Sequence, residues 1–493
     1  MKKNSFYFTP VRTCITVWIL LLLVSLAMAE LDTDVPTGVA ALPSGAFKEE
    51  LSKNKVEGCT GGGNGEVVTA KSSGELSGYL GGDKPMYIQL EGSISGNFNI
   101  GSNKTIIGMG EGASVKGQLS FGRVSNIIVR NLAISGGVDG LGVNGPHNVW
   151  IDHCDLSACG DGLCDIKGGS DQITISWTRF SNHVKVMLIN SGSIKPGDEG
   201  RLNVTLHHLF FDKTDQRNPR AGLGRIHILN NYYNACITYA IHVYGEARVT
   251  VEGCYFKDTK DAVRQHKPEF SGKKWLSGYN WDGHVHLIDN IDTNSVIDVK
   301  NETDSSKIYQ IDKYYMYDWL KHKTAEVPAV VEAGAGTGAK WSKLGPLPIP
   351  GQGVTTVDLN PTLKWTKVGS QASNKVYFGK TKSPPEVKTV DGYSYKPGKL
   401  EEGTVYYWKI NDGKLWKFRT KGTPVPTAVV QPKSSPNIKS ASISSLRIQK
   451  GVQNKSNLFI GVEKVGNGEK QLYDVLGREH VNQKTRPIKT KEK

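Results

Sequence analysis

The chain has 493 residues and a formal net charge of +14, with 38% hydrophobic and 22% charged residues, too long for one ordinary core and therefore expected to hold two or more domains. The basicity sits at the ends: thirteen basic and five acidic residues lie from Pro424 onward, and Lys2, Lys3 and Arg12 open the chain. The body between is nearly balanced, so bulk charge does not support nucleic-acid binding, and any acidic polymer must be read from local sites.

Residues 1–29 read as a secretory signal peptide: the basic opening is followed by the apolar run Ile15 to Met28 and the small-residue pattern Ala27-Met28-Ala29. A retained membrane anchor is the alternative, but the run is short for a span of roughly 20 residues. No later apolar run is long enough to cross a bilayer, so no membrane association is expected after signal removal. Six cysteines remain beyond that segment, at 59, 154, 159, 164, 236 and 254. They have no CxxC pair or nearby HxxxH, which favours buried thiols or one local disulfide over zinc. An export route makes either redox state accessible.

The middle of the chain repeats. SNIIVRNLAI from Ser125, HNVWIDHCDL from His147, DQITISWTRF from Asp171, LNVTLHHLFF from Leu202, GRIHILNNYY from Gly224 and ARVTVEGCYF from Ala247 share one pattern. Each has a short strand of β-branched residues, a polar kink and then an aromatic or aliphatic residue. With Asn126, Asn148, Gln172, Asn203, Arg225 and Arg248 taken as equivalent, the steps are 22, 24, 31, 22 and 23 residues. Such a period with one strand pattern per unit predicts a solenoid. The leucine spacing and per-repeat helix of leucine-rich repeats are missing, so a parallel β-helix is expected, with neighbouring strands about 4.8 Å apart. A sandwich of hairpins would need tighter turns at shorter spacing.

Stacking makes a prediction about charge. Thirteen residues on from Asn126, Asn148 and Gln172 lie Asp139, Asp161 and Lys185, and fourteen on from Asn203 lies Arg217. Four charged residues thus fall at nearly one phase of four coils, a column unless a bulge intervenes. Asp165 returns to the face of Asp161 four residues later. Three carboxylates together repel unless a cation neutralises them, and an oxygen-only donor set favours Ca²⁺. A row of solvated surface charges is the plain alternative.

Lys185 and Arg217 beside such a site suit an anionic ligand, and an acidic polysaccharide lying across several coils fits best. For a uronate polymer the accessible reaction is β-elimination: neutralising the C6 carboxylate acidifies the C5 proton, a base removes it and the O4-linked sugar leaves. Hydrolysis would want a carboxyl pair, for which Asp161 and Asp165 are candidates. The two cations of the column stabilise negative charge and so favour elimination.

From about Leu42 to Gly338 the chain resembles the pectate lyase branch of the pectate/pectin lyase superfamily, polysaccharide lyase family 1-like. The motifs are GCTGGGNGEVV from Gly58, SNKTIIGMG from Ser102, NVWIDHCDLS from Asn148, DGLCDIKGGSDQITISWTRFSNHVKVML from Asp161, QRNPRAGLGRIHILNNYY from Gln216 and VPAVVEAGAGTG from Val327. The resemblance implies an all-β fold with a right-handed parallel β-helix, and a secreted calcium-dependent pectate lyase that cleaves polygalacturonate to 4,5-unsaturated products. It implies Asp139, Asp161 and Asp165 as metal ligands, Lys185 as the residue that pairs with the substrate carboxylate, and Arg217 as catalytic base. A further acidic position of the family is Gly137 here. In the R-x-P-x-x-R pattern Pro219 is in place, but Gly222 replaces the second arginine, and Arg220 is the candidate to bind substrate in its stead. Guanidinium hardly deprotonates, so Arg217 as a carboxylate clamp, with water or hydroxide taking the proton, stays open. His153 reads as a structural histidine. Pectin lyase activity on methyl-esterified polymer and a non-catalytic pectin-binding β-helix are the alternatives.

The expected organisation is a β-helix domain over 30–345, a linker over 346–353 and a small C-terminal β-sandwich over 354–422. That last part is similar to a fibronectin type III module, from strands at PTLKW, KVYFG, GTVYYWKI and LWKFRT. A flexible basic tail over 423–493 is expected, in which LYDVLGREHV from Leu472 is similar to a C-terminal sorting signal that could hold the exported protein at the cell surface. The expected state is a secreted monomer.

Overall fold

The computed structural model describes residues 31–49, 55–190, 197–266, 281–367, 373–425 and the short strands at 472–473 and 479–480. The signal-peptide reading and most of the tail lie outside the described residues.

The chain from Glu66 to Asp298 winds as a parallel β-solenoid. A first sheet stacks Ser125–Arg130, His147–Asp152, Asp171–Ser176, Asn203–His207, Arg225–Leu229, Arg248–Glu252 and His284–Ile288, every pair parallel. The repeat alignment holds to the residue: Ile127, Val149, Ile173, Val204, Ile226 and Val249 are register partners in turn. These side chains fill the solenoid interior and are at most 1% exposed. The polar kink after each strand is a single residue in left-handed conformation: Asn131, His153, Trp177, His208 and Asn230 have φ between 46° and 57°. One such residue turns the chain from the first sheet into a second, where Asp155–Leu156, Arg179–Ser181, Phe210–Asp212, Tyr232–Asn234 and Tyr255–Lys257 stack. Inside that sheet Phe180, Phe211, Tyr233 and Phe256 form a continuous pile with ring centroids 4.7 to 5.2 Å apart. A third sheet carries Gly162–Lys167, Lys185–Ile189, Arg220–Gly222, Ile241–Tyr244, Val263–Gln265 and Ile297–Asp298. The helix Ser73–Leu80, its first turn capped by Ser72 accepting from the Glu75 amide, packs on the first coil.

The first sheet is buried on both faces. Its outer side is covered by the segment Gly38–Ala41, by residues 309–322 and by the C-terminal strands. These strands form a three-stranded antiparallel sheet (Pro348–Ile349, Leu363–Trp365, Ser394–Tyr395) and a four-stranded one (Glu386–Asp391, Ser373–Gly379, Val405–Ile410, Trp416–Arg419). Trp365, Trp408, Trp416 and Phe418 belong to one apolar cluster with Val39, Leu42, Leu229 and Tyr315, so the C-terminal strands and the solenoid flank share a core. The Trp416 indole donates to Asp32 at 3.1 Å, and the Asp32 amide donates to the Leu415 carbonyl at 2.9 Å. The six cysteines among the described residues are free thiols. Burial pushes Cys59, Cys154, Cys236 and Cys254 up to about 12, which makes them unreactive.

Under the covering segments lies a chain of histidines. Thr37 Oγ1 is hydrogen bonded to His207 Nε2 at 2.8 Å, His207 Nδ1 to His208 Nδ1 at 3.0 Å, and His208 Nε2 to His322 Nδ1 at 2.9 Å. Burial lowers His207 from 6.5 to about 3 and His208 well below its ordinary value. A folded-state value below the unfolded one means that unfolding takes up protons, so this contribution is whole above about pH 6.5 and is lost as pH falls toward 3. Urea midpoints are therefore expected to fall across that window, and His207→Gln to flatten the fall; a midpoint that rises on acidification contradicts the assignment.

Candidate active site

The third sheet presents the charged residues because its strands have one face in the core and one in solvent. Leu141 pairs with Cys164, which in turn pairs with Met187; these three point inward. The outward neighbours are the polar ones. Asp139 lies at the rung of Gly162, whose amide donates to Asp139 Oδ1 at 3.0 Å, and Gly162 pairs with Lys185. Lys185 is bridged onward to Gln216. The equal-phase column predicted from the repeat is thus displaced by one residue at two rungs. Gly162, not Asp161, stands opposite Lys185, and Arg217 follows the rung instead of occupying it. The coil that starts at His147 has one residue more than its neighbours between Leu156 and Gly162, which moves Asp161 off the rung.

Side-chain reach restores the cluster. Lys185 Nζ donates to Asp161 Oδ1 at 2.7 Å, with the two side chains 43% and 51% exposed. That contact is the first cause holding the Asp161 carboxyl below its ordinary value, and the charges of Lys185, Arg217 and Lys167 act in the same direction. The Asp161 carbonyl accepts from His183 Nε2 at 2.8 Å. Asp165 differs: it is 6% exposed, and burial together with the charge of Asp139 raises its pKa against the pull of Lys167. Its Oδ1 accepts from the Leu188 amide at 3.3 Å, and Lys167 Nζ donates to its Oδ2 at 3.4 Å.

Gly162 is the residue this convergence requires. A Cβ on it would sit 2.8 Å from Asp165 Oδ1 and 3.3 Å from Asp139 Oδ1, so the two carboxylates lean over a space that any side chain would fill. Their donor set is oxygen only, which fits a hard cation. Among the described residues no three His, Cys, Asp or Glu side chains stand close enough to hold a metal as they are. Asp139 and Asp165 converge, while Asp161 is turned to Lys185.

Arg217 has φ 66°, and its carbonyl accepts from the Met187 amide at 2.6 Å, which ties it to the strand of Lys185. Its Nε, and that of Arg220, are buried without a hydrogen-bond partner, and neither guanidinium has a carboxylate partner among the described residues. Arg220 instead lies 4.6 Å over the ring of Tyr244. His153 is at the opposite corner of the coil, its Nδ1 2.5 Å from Asp152 and its ring 3.6 Å from that of Trp341, away from the third sheet.

Both departures from the family pattern are glycines without room for a side chain. At Gly137 a Cβ would lie 2.4 Å from the Asp139 carbonyl oxygen and 2.8 Å from that of Gly117. At Gly222 it would lie 2.4 Å from Tyr244 Cζ, because Tyr244 is the register partner of Gly222 on the next coil. Gly162 and Tyr244 were not singled out from the sequence. The Gly160-Asp161-Gly162 alternation and the 22-residue step from 222 to 244 were the available signals.

A family model described as "Pectate lyase" matches residues 52–338. Pectate lyase plyB of Emericella nidulans is 36% identical over 219 residues, 41% of this chain and 67% of that protein. A pectate trisaccharide-lyase of Thermotoga maritima is 32% identical over 219 residues, 41% of this chain and 58% of that protein. A crystal structure of a pectate lyase from Bacillus sp. N165 in complex with trigalacturonate matches at 23% identity and a TM-score of 0.49, covering 62% of this chain and 99% of that one.

Gly222→Arg is expected to destabilise the protein by about 1–3 kcal/mol through overpacking against Tyr244. Combined with Tyr244→Ala it should recover most of that loss, a coupling that a double-mutant cycle of urea unfolding measures. Additive losses would mean that Tyr244 is not the obstacle.

Proposed function

The chain belongs to the pectate lyase family, and from the arrangement on its third sheet we propose that it is a calcium-dependent polysaccharide lyase that cleaves polygalacturonate by β-elimination to 4,5-unsaturated oligogalacturonates. The observation that carries the reading is the pair of arginines, Arg217 and Arg220, whose buried Nε atoms lack partners beside the Asp161–Lys185 ion pair. Cations without an ion-pair partner on this face of the sheet favour a ligand that brings its own carboxylates.

In this reading Asp139, Asp161 and Asp165 would hold calcium, with Asp161 freed for that role when a substrate carboxylate takes its place on Lys185. Bound calcium would supply positive charge at the C6 carboxylate. Lys185 pairs with that carboxylate and stabilises the charge that develops as the C5–H bond breaks. Arg217 is assigned to the C5 proton: as the C5–H bond breaks, the C4=C5 double bond forms, the C4–O4 bond breaks and the departing sugar takes up a proton at O4. Because a guanidinium rarely surrenders its proton, a second assignment keeps Arg217 as clamp and lets hydroxide remove the proton. The buried, unpartnered Nε fits the clamp. The acidic residues gathered at Gly162 favour the unesterified substrate through the cation they would hold, which a methyl ester offers no carboxylate to bind. Secretion through the segment 1–29 and a fibronectin type III-like role for the C-terminal strands belong to the same proposal. Among the described residues no helix is long and apolar enough to cross a membrane.

Purified protein with polygalacturonate and calcium is expected to generate ultraviolet absorbance from the unsaturated product, abolished by chelator. Lys185→Ala should lower the rate by about a hundredfold or more with calcium affinity retained. Gly162→Ala should weaken calcium binding in calorimetry by roughly tenfold while the circular dichroism spectrum is kept. Absence of absorbance on both polygalacturonate and esterified pectin would leave only the non-catalytic binding reading.

A further inference from the structure

The near-balance of the body hides a division of charge. Residues 354–422 hold thirteen Lys and Arg against six Asp and Glu, whereas residues 30–353 hold four more acidic than basic ones. The basic part is the C-terminal strands, which cover the outer side of the first sheet. Lys417 and Arg419 on the strand Trp416–Arg419, and Lys421 just past it, alternate and so share a face at steps of about 6.7 Å. The two lysines are answered from within the chain: Lys417 Nζ donates to Asp318 Oδ1 at 2.7 Å and Lys421 Nζ to Asp358 Oδ1 at 2.8 Å. Arg419, between them, is different. Its Nη2 donates to the Asp312 carbonyl at 3.0 Å, its buried Nε has no hydrogen-bond partner, and it has no carboxylate partner among the described residues. Burial lowers its pKa against the pull of Asp312, yet a guanidinium stays charged. Beside it opens a cavity of about 380 Å³, lined by Lys313, Arg419 and Lys421 with Asp312, Thr355 and Thr356. The same face continues across the sheet with tyrosines: Tyr407 pairs with Lys417, and Lys409 Nζ lies 4.8 Å over the ring of Tyr377.

We propose that the cavity at Arg419 is an accessory anion site that takes the carboxylate of an acidic sugar, so that the C-terminal strands hold pectic polymer at a place separate from cleavage. The demand for an anion follows from the cavity, since a partly buried cation without counter-charge gains most from a ligand that supplies it. The choice of a uronate rests on the lyase reading above. Arg419 offers its planar donors to a carboxylate, and Lys313 adds charge from the facing wall. Thr356 is exposed at the rim, where its hydroxyl meets sugar hydroxyls, and the tyrosines of the same face give a sugar ring a surface to lie on. Two sites that hold one kind of polymer raise its local concentration at the cleavage site without any new contact there.

Calorimetry of the full chain carrying Lys185→Ala, titrated with trigalacturonate in chelator, removes cleavage and calcium from the measurement. Binding is expected, and it should weaken at least about fivefold when Arg419→Gln is added, or Thr356→Trp, which fills the cavity from its rim; melting temperatures should be kept. With Lys185 intact and calcium present, both variants should lower kcat/KM on long polygalacturonate at least about threefold and leave trigalacturonate cleavage unchanged. Trigalacturonate affinity that neither variant moves, or equal affinity for neutral galactotriose, overturns the site. Inorganic phosphate bound as tightly as trigalacturonate would make the cavity a phosphate pocket and overturn the sugar assignment. A wild type that shows this binding but cleaves neither polygalacturonate nor esterified pectin would remove the lyase reading and leave the accessory site standing.

Discussion

The structure depends on a parallel register kept coil after coil while the chain turns three corners in each repeat. A backbone that must bend sharply without breaking its hydrogen-bond ladder does so with one left-handed residue per corner, and Asn131, His153, Trp177, His208 and Asn230 fill that place in successive coils. Of these, Asn and His take this conformation more readily than other residues, and Trp177 is the outlier. The bulkier residues are held there by stacking on their neighbours: Trp177 lies on His208 with centroids 4.2 Å apart. The aromatic pile of Phe180, Phe211, Tyr233 and Phe256 answers the same requirement from inside.

Register also decides the electrostatics. A strand face that repeats every coil lines like charges up unless their signs alternate or a ligand intervenes. Here Asp139 and Asp165 are brought to one glycine, Asp161 is answered by Lys185, and Arg217 and Arg220 have no ion-pair partner among the described residues. This face of the third sheet is therefore not neutral along its length: it is acidic at one end, paired in the middle and cationic beyond. An extended polyanion with a divalent cation at one point is complementary to that order.

The solenoid was legible in the sequence because a repeated strand leaves a period. The equivalence of Asn126, Asn148, Gln172, Asn203, Arg225 and Arg248 matches the strand register to the residue. The charged phase of Asp139, Asp161 and Lys185 was legible only approximately. An extra residue between a corner and a strand shifts one rung without altering the mean step, so nothing in the period reveals that Gly162 faces Lys185. The glycines at 137 and 222 read as missing side chains, whereas they are occupied space, filled by the Asp139 and Gly117 carbonyls and by Tyr244. That distinction needs three dimensions, since Gly117 and Tyr244 come from neighbouring coils. The C-terminal strands read as a separate module because composition changes at 346–353, yet Pro348–Ile349 within that stretch is itself a paired strand. Composition marks where the chain changes character and is silent on what the surfaces touch.

The shared core of Trp365, Trp408 and Trp416 with Val39, Leu42 and Leu229 sets how far a substitution reaches. A module that keeps its apolar face to itself can be shuffled between proteins at the cost of a linker. This one has given part of its interior to the flank of the solenoid, and the segment from Asp32 is sewn to its last hairpin. A substitution at one of those tryptophans then reaches the flank of the solenoid, and one at Leu229 reaches the C-terminal strands.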